Sequence, residues 1–274
     1  MQSKFLPKTP AQSRLLLITL ALVAVTIATL IDRDVFAGFV TAVVLVGAVY
    51  QYRMQIPVES RLSWPIPGIA AAAFPALASR WGEAGVFYAA GIALLICGGA
   101  GVVAGLRPGS TVSIATAINN AFYLGFTSAF LVILRSQEEG FRLVLALLLM
   151  AAAYLVVSRI AGPRAGGPAL WGELPWIGAL AGIAAAGLAG AASSAFIDDR
   201  FTVPALLLVG LVAGTGAFAG DLTSLVIQSS EPESETEPET AGKAQPVMSV
   251  LLLRAGVVLF CAPALYYAFR LYLT

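Results

Sequence analysis

The sequence predicts an all-α integral membrane protein, a polytopic transmembrane helical bundle formed by a single membrane domain over residues 1–274. Of the 274 residues, 59% are hydrophobic and only 11% are charged, whereas a soluble domain carries roughly 25% charged residues. The apolar residues also fall in long runs. Helices are the expected form of these runs, because a helix satisfies its own backbone hydrogen bonds inside a bilayer.

Nine apolar runs are candidate spans, because a helix of about 17 to 25 residues crosses the hydrocarbon core. The third run contains Pro65, Pro67 and Pro75, each of which removes a backbone donor and tends to kink a helix. We therefore expect this run to be broken or re-entrant, and eight spans is the alternative count. The nine runs cover approximately residues 15–31, 35–50, 62–79, 86–106, 111–134, 141–160, 174–196, 201–219 and 247–272.

The distribution of Lys and Arg predicts a cytoplasmic N-terminus, because basic residues accumulate on the cytoplasmic side of membrane spans. Lys4, Lys8 and Arg14 precede the first run without an acidic residue, whereas Asp-Arg-Asp follows it at 32–34. Nine spans would place nine basic residues inside and six outside. We therefore expect a multi-pass protein of the cytoplasmic (inner) membrane. The chain has no basic run, so nucleic acid is not an expected partner.

An acidic loop at about 229–246 separates the last two runs and would lie in the cytoplasm. Pro232 and Pro238 interrupt its acidic run and the charges are nearly all of one sign, a composition typical of a disordered, solvated segment. Its five glutamates are Glu231, Glu233, Glu235, Glu237 and Glu239.

Glycine pairs spaced four residues apart predict close helix contacts, because small residues let two backbones approach within a membrane. The two cysteines, Cys97 and Cys261, fall in apolar runs and are expected to be small buried hydrophobes. The glycine pairs are Gly101 and Gly105, Gly178 and Gly182, Gly210 and Gly214, and Gly216 and Gly220.

Polar residues inside the spans are the candidates for function, because charges are rare there. Asn119 and Asn120 are expected to hydrogen-bond across helices or to line a path through the membrane. Arg254 is expected to reach the interface or to pair with a carboxylate such as Asp221. Asp221 ends an apolar run after Gly220, where it is either a solvated helix end or a ligand for Mg²⁺ and phosphate oxygens.

Several segments in order along the chain resemble the CDP-diacylglycerol synthases, also called phosphatidate cytidylyltransferases. Gly-Asp-Leu-Thr-Ser-Leu at 220–225 and Leu-Phe-Cys-Ala-Pro-Ala-Leu-Tyr-Tyr at 259–267 are similar to the end of that family. Upstream, Ser-Arg-Ile-Ala-Gly at 158–162 resembles its G-R-x-F-G and Trp-Ile-Gly at 176–178 its W-E-G. Residues 12–54 and Tyr-Leu-Gly at 123–125 extend the likeness over most of the chain.

The resemblance implies a reaction in which phosphatidate takes the cytidyl group of CTP and pyrophosphate is expelled, with Mg²⁺ held by two aspartates and a basic stretch that contacts the triphosphate. This sequence departs from the family at those groups. It has no histidine, and the alignment puts Leu253 and Gly256 at the two aspartates of the last helix, with Arg254 on the arginine between them. The acidic run replaces the basic stretch, so Asp221 alone remains of the metal pair.

We therefore expect a catalytically degenerate family member, a pseudoenzyme that acts as a noncatalytic partner or lipid-binding protein in phospholipid metabolism. Membrane lipids and a homodimer, or a heterodimer with an active synthase, are the expected partners. The first alternative is an active cytidylyltransferase that uses Mg²⁺ and a divergent site. The second is a transporter or channel. The candidate residues are Asp221 for metal, Arg159, Arg164 and Arg254 for phosphate, and Asn119 and Asn120 as intramembrane polar groups.

Overall fold

Seven long helices form a bundle in the part of the chain that the computed structural model describes. The structure describes residues 32–63, 65–103, 105, 109–165, 169–171, 174–197, 201–229 and 247–273. Within these ranges the side chains of 163–165, 169–171, 174, 224–229, 247–256 and 272–273 lie outside the description. The helices are α1 (Arg33–Gln55), α2 (Pro65–Val103), α3 (Ser110–Ser136), α4 (Gly140–Ala165), α5 (Trp176–Ala192), α6 (Val203–Ser229) and α7 (Val247–Leu273).

Six of these helices, α1 to α6, are long and apolar enough to cross a bilayer, and α7 contains a shorter apolar segment, Val257–Leu271. The predicted multi-pass membrane bundle is thus confirmed at the level of helices. Outside them, the described residues include a short antiparallel strand pair, Ala169–Trp171 with Leu174–Pro175, between α4 and α5. The predicted first run, 15–31, and most of the acidic loop at 229–246 lie outside the described residues.

Helix α2 is two arms joined at a sharp bend. Gly82 has φ 55° and ψ −133°, a left-handed conformation that favours glycine. A Cβ on Gly85 would overlap the backbone carbonyl of Leu77, whereas eight residues of straight helix would separate the two by about 12 Å. The chain therefore turns back on itself between arms 65–81 and 83–103.

The expected break in the third apolar run is wrong, whereas the re-entrant alternative stays a prediction. The helix continues through the run from Pro65, because Pro65 and Pro67 occupy the first turn of α2, where no intrahelical donor is required. Pro75 lies inside the arm and is buried. The backbone reverses at Gly82 and not at a proline.

Helix α3 lies at the centre of the bundle, with more of its surface buried than any other spanning helix. Its middle, Ala121–Phe126, is a π-helical turn, a rare element that often marks functional positions. Phe126 and Phe130 of α3 stack edge to face, and Phe74 of α2 meets Phe126 in the same geometry. These rings fill the interior between the α2 hairpin and the remaining helices.

Glycines bring α4, α5 and α6 into close contact, as the spacing of the pairs predicts. A Cβ on Gly178 of α5 would lie 2.6 Å from the Ser158 carbonyl oxygen of α4, and one on Gly214 of α6 would lie 3.0 Å from Ile183 Cα of α5. At the pair 101 and 105 the prediction is confirmed for Gly101, where an added Cβ would overlap Ile114 of α3. It is wrong for Gly105, which follows the end of α2 with φ +72° and has open space around it.

Candidate functional site

A buried carboxylate joins α4 to α6. Asp221 is 5% exposed, and its Oδ2 accepts a hydrogen bond from the Tyr154 hydroxyl at 3.3 Å. Its Oδ1 lies 3.2 Å from Nη2 of Arg159, which donates a charged hydrogen bond. Two residues of α4 therefore hold the one carboxylate that the family resemblance singles out.

The local sequence explains why these groups meet. Gly182 and Gly178 of α5 pack directly against Tyr154 and Ser158 of α4, and a Cβ on Gly182 would lie 2.8 Å from the Tyr154 ring. The lack of a side chain at these two glycines leaves room for the tyrosine, which is completely buried. Tyr154 can therefore project between the helices and reach the carboxylate on α6.

The ion pair balances a charge that would otherwise be costly. An ionised carboxylate withdrawn from water is strongly disfavoured unless it is paired and hydrogen-bonded. Arg159 supplies the opposite charge while 47% of its side chain stays exposed. A guanidinium carries five N–H donors, so this arginine can contact Asp221 and an anion at the surface together.

The described residues do not fit a Mg²⁺ ion at Asp221. Mg²⁺ requires octahedral oxygen ligands and is usually bound through one or two carboxylates together with substrate phosphates. Both oxygens of Asp221 face donors, and one donor is cationic. No group of three or more His, Cys, Asp or Glu side chains suited to a metal occurs in the described part of the chain.

The other predicted site residues do not join this cluster in the described structure. The side chains of Arg164 and Arg254 lie outside the description, so the expected pairing of Arg254 with Asp221 stays a prediction. Asn119 and Asn120 separate: Asn119 is exposed, whereas Asn120 is 0% exposed and its Nδ2 donates to Oε1 of Gln55 at 3.2 Å. The predicted hydrogen bond across helices is confirmed for Asn120.

A second buried contact between α1 and α3 lies beside that amide pair. The Tyr52 hydroxyl hydrogen-bonds the Ser113 hydroxyl and accepts from the backbone N–H of Leu62 at 2.7 Å. Both side chains are almost completely buried. These bonds fix the position of α1 relative to α3 and to the chain that leads into α2.

A charged cluster occupies a different part of the bundle. Arg270 of α7 forms an ion pair with Glu83, the residue after the bend in α2, and the Tyr266 hydroxyl also hydrogen-bonds Glu83. The bend at Gly82 and the last turn of α7 therefore lie at the same end of the bundle.

Sequence reasoning missed Tyr154, Gln51, Gln55 and the Glu83–Arg270 pair. Tyr154 is the one residue with a hydroxyl in the otherwise aliphatic stretch 143–157, which was a usable signal. Gln51 and Gln55 were missed because the predicted second span ends at residue 50, whereas α1 continues to Gln55. No local pattern links residues 187 positions apart, as Glu83 and Arg270 are.

No protein-family model matches the sequence, and no characterised protein matches it significantly. The resemblance to phosphatidate cytidylyltransferases therefore rests on the short segments quoted above.

Proposed function

We propose that this chain is a noncatalytic membrane protein, related to the phosphatidate cytidylyltransferases, that binds the phosphate of a phospholipid through Arg159. The observation that carries the proposal is the ion pair between Arg159 and the buried Asp221 at 3.2 Å. In the family the resemblance implies, this aspartate would hold a metal. Here its oxygens face a guanidinium and a tyrosine, an arrangement that anchors an arginine.

Arg159 is suited to a lipid phosphate for two reasons. Its guanidinium can donate several N–H groups in a planar fork that matches phosphate oxygens, and nearly half of its side chain is exposed. The buried carboxylate holds it in place, which lowers the entropy lost when a headgroup binds. A phosphatidate-like lipid, with a phosphate and no headgroup alcohol, is the ligand class that fits this chemistry.

We further propose nine spans with a cytoplasmic N-terminus in the inner membrane. The contact between Glu83 and Arg270 supports the alternation of helix ends that nine spans require. The orientation can be tested by cysteine labelling in a variant that lacks the two native cysteines, Cys97 and Cys261. Glu138→Cys should react with an impermeant maleimide added to whole cells, whereas Glu59→Cys should react only after lysis; the reverse pattern would overturn the orientation.

Lipid retention tests the binding role. The purified protein would be exchanged into detergent with phosphatidate or phosphatidylcholine, and bound lipid would be counted by native mass spectrometry. Arg159→Met should lower phosphatidate retention several-fold. Arg142→Met is the matched control, because Arg142 lies at the other end of α4, is 50% exposed and also pairs with an acidic residue, Glu139. Equal retention by the two variants would overturn the proposed site.

A turnover assay separates this proposal from an active enzyme. Purified protein with labelled CTP, phosphatidate and Mg²⁺ should release no more pyrophosphate than an Asp221→Asn variant does. Turnover at enzymatic speed that disappears in Asp221→Asn would establish the alternative, an active cytidylyltransferase with a divergent site. A partner role would appear in the same preparation as co-purification of an intact synthase.

A further inference from the structure

Two side-chain amides meet between α1 and α3, and a third lies one helical turn away on α1. Asn120 donates to Gln55, as described above, and Gln51 lies one turn before Gln55 on the same face of α1. The cluster lies at the C-terminal end of α1, where Gln55 is the last helical residue and is half-buried. Ser113 and Tyr52 form their hydroxyl pair on the same two helices.

Two oxygens of this cluster have no partner in the described structure. Gln51 is 8% exposed and Asn120 is 0% exposed, and neither Oε1 of Gln51 nor Oδ1 of Asn120 receives a hydrogen bond from the residues that the structure describes. A buried acceptor without a donor carries its full desolvation penalty. More than nine in ten buried polar groups in proteins find a partner, so two such oxygens on facing helices call for a ligand.

The oxygen of Asn120 is oriented by its neighbour Gln55. Turning the Asn120 amide alone would set its oxygen against Oε1 of Gln55, two acceptors that repel each other. The Tyr52 and Ser113 hydroxyls fix the register of α1 on α3. The π-helical turn Ala121–Phe126 begins directly after Asn120, an element found frequently at functional sites.

The chemistry of the cluster selects the ligand. Both orphan atoms are neutral amide oxygens, which accept hydrogen bonds. A bound cation would be buried without an opposite charge among the amides, which is unfavourable in a low-dielectric interior. We propose that Gln51, Gln55 and Asn120 form an interior binding site for a small neutral hydrogen-bond donor, an O–H or N–H group that enters past the half-buried Gln55.

Water and the hydroxyl of a lipid headgroup share this chemistry. Water is the occupant expected in the purified protein, since buried waters typically make two to four hydrogen bonds to otherwise unsatisfied polar groups. The site is separate from Arg159 and Asp221, so it stands or falls independently of the proposed lipid phosphate site.

The test is the sign of a stability change in Gln51→Met, which keeps the length of the side chain and removes its amide. If no donor were bound to the Gln51 oxygen, methionine would remove the desolvation penalty of that oxygen and raise the melting temperature. If a donor is bound, the variant loses a hydrogen bond and should melt roughly 2–6 °C lower. Gln137→Met is the matched control, because it replaces an exposed glutamine whose Nε2 donates only a long bond of 3.4 Å to the Ile133 carbonyl; it should lower the melting temperature less than Gln51→Met does.

Two further measurements complete the test. The melting temperatures of Gln51→Met and the wild type are compared again after the detergent-purified protein is stripped of lipid. A lower melting temperature of the variant that persists identifies water as the ligand. A difference that appears only with lipid present identifies a lipid hydroxyl. A density map that resolves ordered waters should place a non-protein peak about 2.7–3.2 Å from Oε1 of Gln51 or Oδ1 of Asn120. An unchanged or raised melting temperature of Gln51→Met, or a map with no peak at either oxygen, would overturn the proposal.

Discussion

The close approach of α4 and α5 makes Gly178→Ala the most direct test of the packing. The added Cβ would lie 2.6 Å from the Ser158 carbonyl oxygen and 2.9 Å from Gly162 Cα, whereas ordinary contact begins at 3.4 Å. All the nearest atoms are backbone, so no side chain can rotate away. The two helices must therefore separate by about 0.8 Å, the difference between 2.6 and 3.4 Å.

The energetic consequence follows from that separation. A gap of 0.5–1 Å forfeits roughly a quarter to a half of each dispersion contact along the interface, and overpacked positions typically lose about 1–3 kcal/mol. Alanine offsets up to about 1 kcal/mol of this through its better helix propensity. The matched control is Gly91→Ala on α2, where nothing lies within 4 Å of the added Cβ. Only the propensity gain remains there.

Unfolding in mixed detergent micelles, followed by the fluorescence of the four tryptophans, measures both variants. Gly91→Ala should equal or exceed the wild type in free energy of unfolding. Gly178→Ala should fall below Gly91→Ala by about 1–3 kcal/mol, which is the overpacking contribution alone. Equal stabilities for the two variants would refute the close contact between α4 and α5.

Three other substitutions probe the polar contacts. Arg159→Met should lower the melting temperature because it removes a cationic partner of the buried Asp221, and adding Asp221→Asn should restore most of the loss; additive losses in that double-mutant cycle would contradict the ion pair. Tyr52→Phe removes two buried hydrogen bonds and should lower the free energy of unfolding by about 1–3 kcal/mol, measured by the same micelle titration. Glu83→Gln should change the melting temperature little and less at high salt, because its partner Arg270 is half exposed; a large, salt-independent loss would mean that this pair is structurally essential.

The sequence predicted helices where the apolar runs are long and unmixed. The run at 111–134 corresponds to the helix Ser110–Ser136, and the run at 141–160 corresponds to Gly140–Ala165. These spans could be predicted because the length of an apolar run is visible in the sequence and can be compared directly with the thickness of the bilayer. The bend in α2 was not predicted. The prolines at 65–75 suggested a break there, but Pro65 and Pro67 lie at the start of the helix, where no backbone hydrogen bond is lost. The chain reverses instead at Gly82, which has a positive φ.

The sequence predicted the two charged residues of the candidate site but not the contact between them. Asp221 and Arg159 were named separately, because a carboxylate at the end of an apolar run and an arginine inside a familiar motif are each visible in a single segment. Their pairing was not predicted: they lie 62 residues apart, and only the packing of α4 on α6 brings them together. Tyr154, Gln51 and Gln55 were not predicted, because neutral polar side chains stand out less than charged ones in an apolar sequence.

The bend in α2 has a consequence for every helix that follows it. A helix of 39 residues is about 58 Å long when straight, nearly twice the hydrocarbon thickness. In the proposed nine-span arrangement, the same residues fold at Gly82 into two crossings in place of one. Without this bend, the chain after α2 would have the opposite orientation in that arrangement, and Arg159 and Asp221 would face the other side of the membrane.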